Sequence, residues 1–190
     1  LEDALSDYES EGVLVPLENA VDRAFYTHLM DDIGTPEPDT PTALYREFLE
    51  AEIDFRNIRN ALRIARSGAD IDPAAYFMDG GRLFAAEEIR QLASNTEELV
   101  TRIRESTYGD DLAAALEDLE DADSLIGFEH ALDSALLEYS QKLSNRYPLS
   151  VCPVLSYVLA KEREIENIRA IARGREAGLS VEEIETELVQ

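Results

Sequence analysis

The sequence has little lysine, a single cysteine and no long apolar run. Lys142 and Lys161 are its only lysines, so arginine supplies almost all of the 17 positive side chains. Against these stand 41 aspartates and glutamates, which give a formal net charge of −24 at pH 7. Nucleic acid needs a basic footprint on a protein, and anionic lipid attracts basic segments. The composition therefore argues against both as partners.

The residues that usually build catalytic and metal sites are also scarce. Cys152 cannot form an internal disulfide, and its apolar neighbours from Leu149 to Leu155 predict a core residue. His28 and His130 belong to no Glu-x-x-His pattern, and the acidic run at 117–123 lacks the glycine and closing glutamate of an EF-hand. No Gly-x-x-x-x-Gly-Lys loop is present. We therefore expect no catalytic residue, no cofactor, no metal and no nucleotide binding.

No window approaches 18 uninterrupted apolar residues, and the N-terminus lacks the basic-then-apolar pattern of a signal peptide. These absences predict a cytoplasmic protein without direct membrane insertion. An excess of carboxylates with arginine as the main cation is typical of a salt-loving organism. The alternative is an ordinary acidic mesophilic protein.

Apolar residues recur at helical spacing along nearly the whole chain. A stripe of seven predicts a helix with Thr42 as its N-cap and Gly68 at its end: Leu44, Phe48, Ala51, Phe55, Ile58, Leu62 and Ala65. A second long helix is expected from Pro153 to about Arg173, with a stripe of Val154, Val158, Ile165, Ile168 and Ala172. Shorter helices are predicted at 17–32, 85–94, 96–106, 110–120, 125–146 and 181–189. Alternating strand-like runs are absent, and the predicted fold class is all-α.

The sequence repeats itself after about 110 residues. Asn57 and Arg59 align with Asn167 and Arg169, and the segment that begins at Leu1 aligns with the one that begins at Leu112. We divide the chain into the tail of a preceding repeat at 1–12, a complete helical repeat at 13–123 and a shorter second repeat at 124–190. The two copies should superpose, with each long helix turning its stripe inward. Some apolar surface around Ile165 and Ile168 should lie open or be covered by residues 1–10.

Several segments together resemble the C subunit of archaeal A-type ATP synthases, whose family includes the d subunit of eukaryotic vacuolar ATPases. They are the long helices with Asn-Ile-Arg, the turn at Gly80 and Gly81, and above all the stretch from Tyr157 to Arg169. The resemblance implies part of a three-domain helical funnel at the cytoplasmic face of the membrane, attached peripherally. It implies central-stalk subunits and the proteolipid ring as partners, and a mechanical role without an active site. The chain would be a C-terminal portion that lacks most of the first domain and should not couple anything alone if a complete funnel is required.

Asn57 and Asn167 are disfavoured inside helices, so each is predicted to bond a neighbouring helix or loop. Lys161 replaces the Ala51 of the first stripe. It either contacts another rotor subunit or pairs with Glu164 one turn on, and the second interpretation is favoured. The candidate interaction or structural residues are Asn57, Arg59, Tyr157, Lys161, Glu162, Asn167 and Arg169.

Two other functions stay open. The first is an unrelated helical-repeat scaffold in the cytoplasm of a halophile. The second is an acidic helical hydrolase, which is disfavoured because no nucleophile and base occur together in the sequence.

Overall fold

The computed structural model describes residues 1–12, 14–67, 73–85, 88, 91–92, 95–110, 112–113, 116–117, 125–185 and 188. Helices make up most of this part, and it contains no strand, which confirms the all-α class. The chain divides into two compact units, Leu1–Asp110 and Asp111–Gln190. The predicted boundary at 123 and 124 lies outside the described residues.

The described part of unit 1 includes the helices α1 at Glu2–Glu11, α2 at Val15–Ile33, α3 at Pro41–Ser67 and α4 at Thr96–Arg104. A 3₁₀ turn at Pro73–Tyr76 contacts both α2 and α3, and α4 packs on α3. Asn95 caps α4 because its side chain accepts a hydrogen bond from the Glu98 amide at 3.2 Å. These contacts make α3 the centre of the unit.

The start of α3 differs from the prediction. The Thr40 hydroxyl accepts a hydrogen bond from the Ala43 amide at 3.2 Å, and Pro41 stands in the first turn, where its missing N–H costs nothing. Thr40 is therefore the capping residue, and the assignment of Thr42 was wrong. Gly68 lies outside the described residues. Six members of the predicted stripe are buried, as expected, and Ala65 is half-buried.

Unit 2 contains α5 at Leu125–Arg146, α6 at Cys152–Glu176 and α7 at Val181–Glu185. α5 packs closely along α6, and α7 contacts α6 near its C-terminal end. A Cβ on Gly174 would lie 2.6 Å from the Ile184 side chain, so glycine allows the close approach of α7. The buried side of α6 is composed of small or medium residues, namely Cys152, Ser156, Leu159 and Gly174.

The apolar stripe of α6 faces outward, so the prediction that it turns inward was wrong. Val154, Val158, Ile165, Ile168 and Ala172 are all exposed. The physical reason is that α5 packs on the opposite side, where an ion pair and small residues allow a close fit. The expectation that Ile165 and Ile168 lie open is confirmed, with 47% and 57% exposure.

The helices predicted at 17–32, 96–106 and 125–146 are present with ends that differ by at most two residues. Of the helices predicted at 85–94 and 110–120, the structure describes residues 85, 88, 91–92, 110, 112–113 and 116–117, and all of these except residue 85 are helical. Residues 186, 187 and 189 of the helix predicted at 181–189 and most of the acidic run at 117–123 lie outside the described residues. Superposition of the two copies stays a prediction.

Candidate interaction surfaces

Buried polar side chains on α3 hold the segment that follows the 3₁₀ turn. The Asn57 side chain donates to the Met78 carbonyl and accepts from the Met78 amide, both at 2.9 Å. Asn60 donates to the Tyr76 carbonyl at 3.0 Å. Asn57 is only 1% exposed, so both polar groups of Met78 are satisfied where water does not compete.

Asp54 lies one turn before Asn57 and is fully buried. Its carboxylate accepts hydrogen bonds from the Leu83 amide at 2.9 Å, the Tyr108 hydroxyl at 3.0 Å and the Arg82 amide at 3.1 Å. A Cβ on Gly81 would lie 2.2 Å from the Asp54 Oδ1, so only glycine lets the backbone come this close. We call Asp54, Asn57 and Asn60 the α3 clamp, because together they fix residues 76–83 on the helix.

Burial raises the pKa of Asp54, and the hydrogen bonds from Leu83, Arg82 and Tyr108 oppose this effect. The Tyr108 ring also packs edge-on against Phe55, with ring centroids 5.0 Å apart. The buried carboxylate therefore serves as a fixed acceptor for three donors that come from two separate segments of unit 1.

A polar groove of about 410 Å³ lies between α2 and α3. Its lining includes three arginines of α3 and two carboxylates of α2: Arg56, Arg59, Arg63, Glu18 and Asp22. Arg56 approaches Asp22 at 3.5 Å and Glu52 at 3.4 Å. Charges of both signs therefore line the groove, and Arg56 already pairs with two carboxylates.

The outward side of α6 carries an apolar face with charges along it. Its exposed apolar members include Val154, Tyr157, Val158, Ile165 and Ile168. Lys161 lies among them, forms an ion pair with Glu164, and has its ammonium nitrogen 5.9 Å from the Tyr157 ring centroid. Glu164 raises the pKa of Lys161 through this hydrogen bond and its charge. We call this surface the α6 outer face.

The seven predicted residues form two groups, one in each unit. Asn57 and Arg59 lie on α3, where Asn57 belongs to the clamp and half-buried Arg59 lines the groove. The other five lie on α6: Tyr157, Lys161, Glu162 and Arg169 are exposed, and Asn167 is half-buried. Their assignment as interaction or structural residues stays a prediction.

Sequence reasoning missed Asp54, Tyr108 and the Arg163–Asp133 pair. Arg163 Nη1 lies 2.8 Å from Asp133 Oδ2, and both side chains are largely buried between α5 and α6. The sequence did contain a signal for Asp54. It lies between two large apolar residues, Ile53 and Phe55, which are both buried, so the polar residue between them is surrounded by apolar positions. A signal for Asp133 was its alignment with Asp22, which also pairs with an arginine.

Among the described residues, no group of three or more histidine, cysteine, aspartate or glutamate side chains could hold a metal ion. In the same part of the chain, no helix combines the length and apolar character that crossing a bilayer requires.

Comparison with known proteins gives a consistent family. The C subunit of the A-type ATP synthase of Halobacterium salinarum is 65% identical over 190 residues, which are all of this chain and 54% of that protein. The corresponding C subunit of Haloferax volcanii is 66% identical over 186 residues, which are 98% of this chain and 53% of the relative. That of Methanococcoides burtonii is 30% identical over 187 residues, 97% of this chain and 51% of the relative.

The chain thus spans about half the length of the curated relatives it matches. No solved structure matches it. The high identity to proteins of salt-loving archaea agrees with the lysine-poor, acidic composition. The family described as ATP synthase (C/AC39) subunit matches residues 1–187, and the chain therefore belongs to this family.

Proposed function

We propose that the chain acts as a non-catalytic stalk subunit of an A-type ATP synthase, joining the rotating central stalk to the proteolipid ring. The family match over residues 1–187 carries this proposal, together with relatives named as the C subunit of A-type ATP synthases. Such a subunit would pass torque between ATP turnover and ion translocation at the cytoplasmic face of the membrane.

A mechanical role requires stiff elements, and unit 1 supports it. α3 has 27 residues, which corresponds to about 40 Å of helix. The α3 clamp ties residues 76–83 to the middle of this helix through hydrogen bonds that are shielded from water. A long helix fixed in this way bends less than one held by apolar contacts alone, because each buried bond must break before the segment shifts.

Lys161 is a candidate contact whose role can be local to its own helix or directed to another subunit. Its ion pair with Glu164 lies within one turn of the same helix, which favours a local role over a contact with another rotor subunit. We therefore expect Lys161→Ala to leave binding to stalk subunits within about twofold of the unaltered chain, since an exposed ion pair contributes little.

The experiment is a co-purification in about 2 M KCl, where carboxylate repulsion is screened. The tagged chain is mixed with recombinant central-stalk subunits and with the detergent-solubilised proteolipid ring of a haloarchaeal enzyme. We expect retention of at least one of the two partners, and no retention by an unrelated protein of equal negative charge. Retention of neither partner would contradict the proposal and favour the helical-repeat scaffold of a halophile.

A further inference from the structure

The α6 outer face has the spacing of a coiled-coil seam. Its central positions recur at alternating steps of four and three residues and are all exposed: Val154, Val158, Lys161, Ile165, Ile168, Ala172 and Arg175. A repeat of seven residues is the pattern by which one helix packs along another over several turns. The seam extends over about 30 Å of α6. The shape that fits it is therefore a second helix of similar length.

The exposed charges of α6 are ordered along the helix. Three carboxylates precede Ile168 and three arginines follow it, namely Glu162, Glu164 and Glu166, then Arg169, Arg173 and Arg175. With Lys161 and Glu176 counted, the exposed side is negative by two charges over 161–166 and positive by two over 169–176. It is neutral as a whole, in a chain whose net charge is −24. A helix with this order is complementary to a copy of itself that runs in the opposite direction.

An antiparallel pair of α6 helices also accommodates the lysine in the seam. When Ile165 of one copy lies beside Ile168 of the other, Lys161 lies beside Ala172, whose small side chain leaves room for the lysine stem. The ammonium group keeps its ion pair with Glu164 of its own helix. A parallel pair would instead place Lys161 against Lys161 of the second copy, which like charges oppose. The seam therefore favours the antiparallel orientation.

Two charged residues beside the seam support the same orientation. Glu162 and Arg169 each follow a seam position by one residue, so they flank the seam on the same side, seven residues apart. In the antiparallel register, Glu162 of one copy faces Arg169 of the other, and the twofold symmetry forms this pair twice. At molar salt the charges are partly screened, so the apolar contacts supply most of the affinity and the charges select the orientation.

We propose that the α6 outer face pairs with the same face of a second copy of this chain, with the two helices antiparallel. The contact is isologous, so it closes as a dimer. One helix on one helix buries less than about 1,200 Å², the lower bound of stable interfaces, so the dimer is weak, with a Kd of about 10 μM or higher. At the lower concentrations at which unfolding is measured, the chain is monomeric and the face is open. This inference goes beyond the proposed function and does not depend on it.

Sedimentation velocity in about 2 M KCl, over a protein range of about 5 to 500 μM, tests the association. We expect the unaltered chain to form dimers as its concentration rises. Ile165→Glu/Ile168→Glu places carboxylates at the centre of the seam and should need at least about tenfold more protein to associate, because burying a carboxylate is costly. Val181→Glu alters an apolar residue of α7 with 47% exposure, outside the face, and should associate normally. Circular dichroism checks that both variants are folded.

Disulfide crosslinking in a glutathione buffer tests the orientation. A mixture of Ile165→Cys and Ile168→Cys chains should crosslink, since these positions lie side by side in the antiparallel pair. Val154→Cys should not crosslink to itself, because the antiparallel pair places its two copies more than about 30 Å apart. Val181→Cys measures the background from chance collisions. The native Cys152 is 2% exposed and does not contribute.

Four results would overturn the proposal. The unaltered chain stays monomeric over the whole concentration range, or Ile165→Glu/Ile168→Glu associates as readily as the unaltered chain. Alternatively, Val181→Glu abolishes association as well, or the crosslinking pattern is wrong. The pattern is wrong if the Ile165→Cys and Ile168→Cys mixture crosslinks no more than Val181→Cys, or if Val154→Cys crosslinks to itself above that background.

Discussion

At the scale of single residues, unit 1 depends on polar groups inside its core. Asparagine and aspartate lower the stability of a helix interior, yet Asp54 and Asn57 occupy consecutive turns of α3. Their value lies in the backbone groups they satisfy, because a buried amide or carbonyl without a partner costs about 1–3 kcal/mol. Removing either side chain leaves such groups unpaired on residues 78–83.

The α3 clamp predicts that removing the side chain of Asn57 lowers the stability of the chain more than removing that of the aligned Asn167. Asn57→Ala leaves both polar groups of Met78 without their partner, and should lower the free energy of unfolding by about 3 kcal/mol. Asn167→Ala is the matched control at a half-buried position and should cost about 1 kcal/mol or less. Chemical denaturation at high salt measures both. Equal losses would show that the Met78 contacts add nothing to stability.

The raised pKa of Asp54 predicts that its contribution to the stability of the fold depends on pH. Its pKa in the folded state is raised above the ordinary value of 3.8, so the folded chain holds this proton at a pH where the unfolded chain has lost it. The contribution of Asp54 to stability therefore falls as the pH rises from about 4 through the raised pKa, and is constant above it. Asp54→Asn cannot titrate, although it disturbs one backbone hydrogen bond at every pH.

Unfolding of the unaltered chain and of Asp54→Asn should be compared at several pH values in the same salt. As the pH rises, the unaltered chain should lose stability relative to Asp54→Asn. This trend should hold whether the variant is more or less stable than the unaltered chain at the starting pH. A difference that shifts towards the unaltered chain would mean that the pKa of Asp54 is lowered in the folded state.

At the scale of helices, periodicity predicted where the elements lie better than which way they face. The stripe of α3 is buried as expected, whereas the equivalent stripe of α6 is exposed. Spacing shows that apolar residues share a side, but the neighbour that covers that side comes from elsewhere in the chain. The N-cap of α3 was assigned to Thr42, whereas the structure shows that it is Thr40. Both threonines precede the apolar stripe, so the sequence pattern alone does not distinguish them.

The clamp was only partly predictable. Asn57 could be identified because a polar residue recurs at the same repeat position, and a bond to a loop followed from its helix propensity. Asp54 has a glutamate, Glu164, at the aligned position, and this residue pairs with Lys161 at the surface. Its three donors come from residues 82, 83 and 108, which no local pattern connects to α3.

A matched pair of alanine substitutions tests the opposite facing of the two helices. Ile58→Ala creates a cavity in the core of unit 1 and should cost about 3 kcal/mol. Ile168→Ala shortens a side chain that is 57% exposed, so it should lower the free energy of unfolding by less than about 0.5 kcal/mol. Thermal unfolding of the two variants beside the unaltered chain provides the comparison. A large loss for Ile168→Ala would show that the α6 outer face is covered in solution.

At the scale of the whole molecule, the net charge of −24 predicts a dependence on salt. Mutual repulsion of carboxylates destabilises the folded state, and molar salt shortens the Debye length to about 3 Å. The melting temperature should rise as KCl increases from about 0.1 M to 3 M. A melting temperature that does not change over this range would show that the charges are neutralised locally.

Competition with an intact relative tests the proposed role in the ATP synthase most directly. The C subunit of the Halobacterium salinarum A-type ATP synthase shares 65% identity with this chain. If the chain binds the same partners, adding it in excess should displace that relative, carrying a label, from the assembled enzyme in proportion to the amount added. No displacement at about hundredfold excess, with the chain folded and the enzyme intact, would contradict a stalk-subunit function.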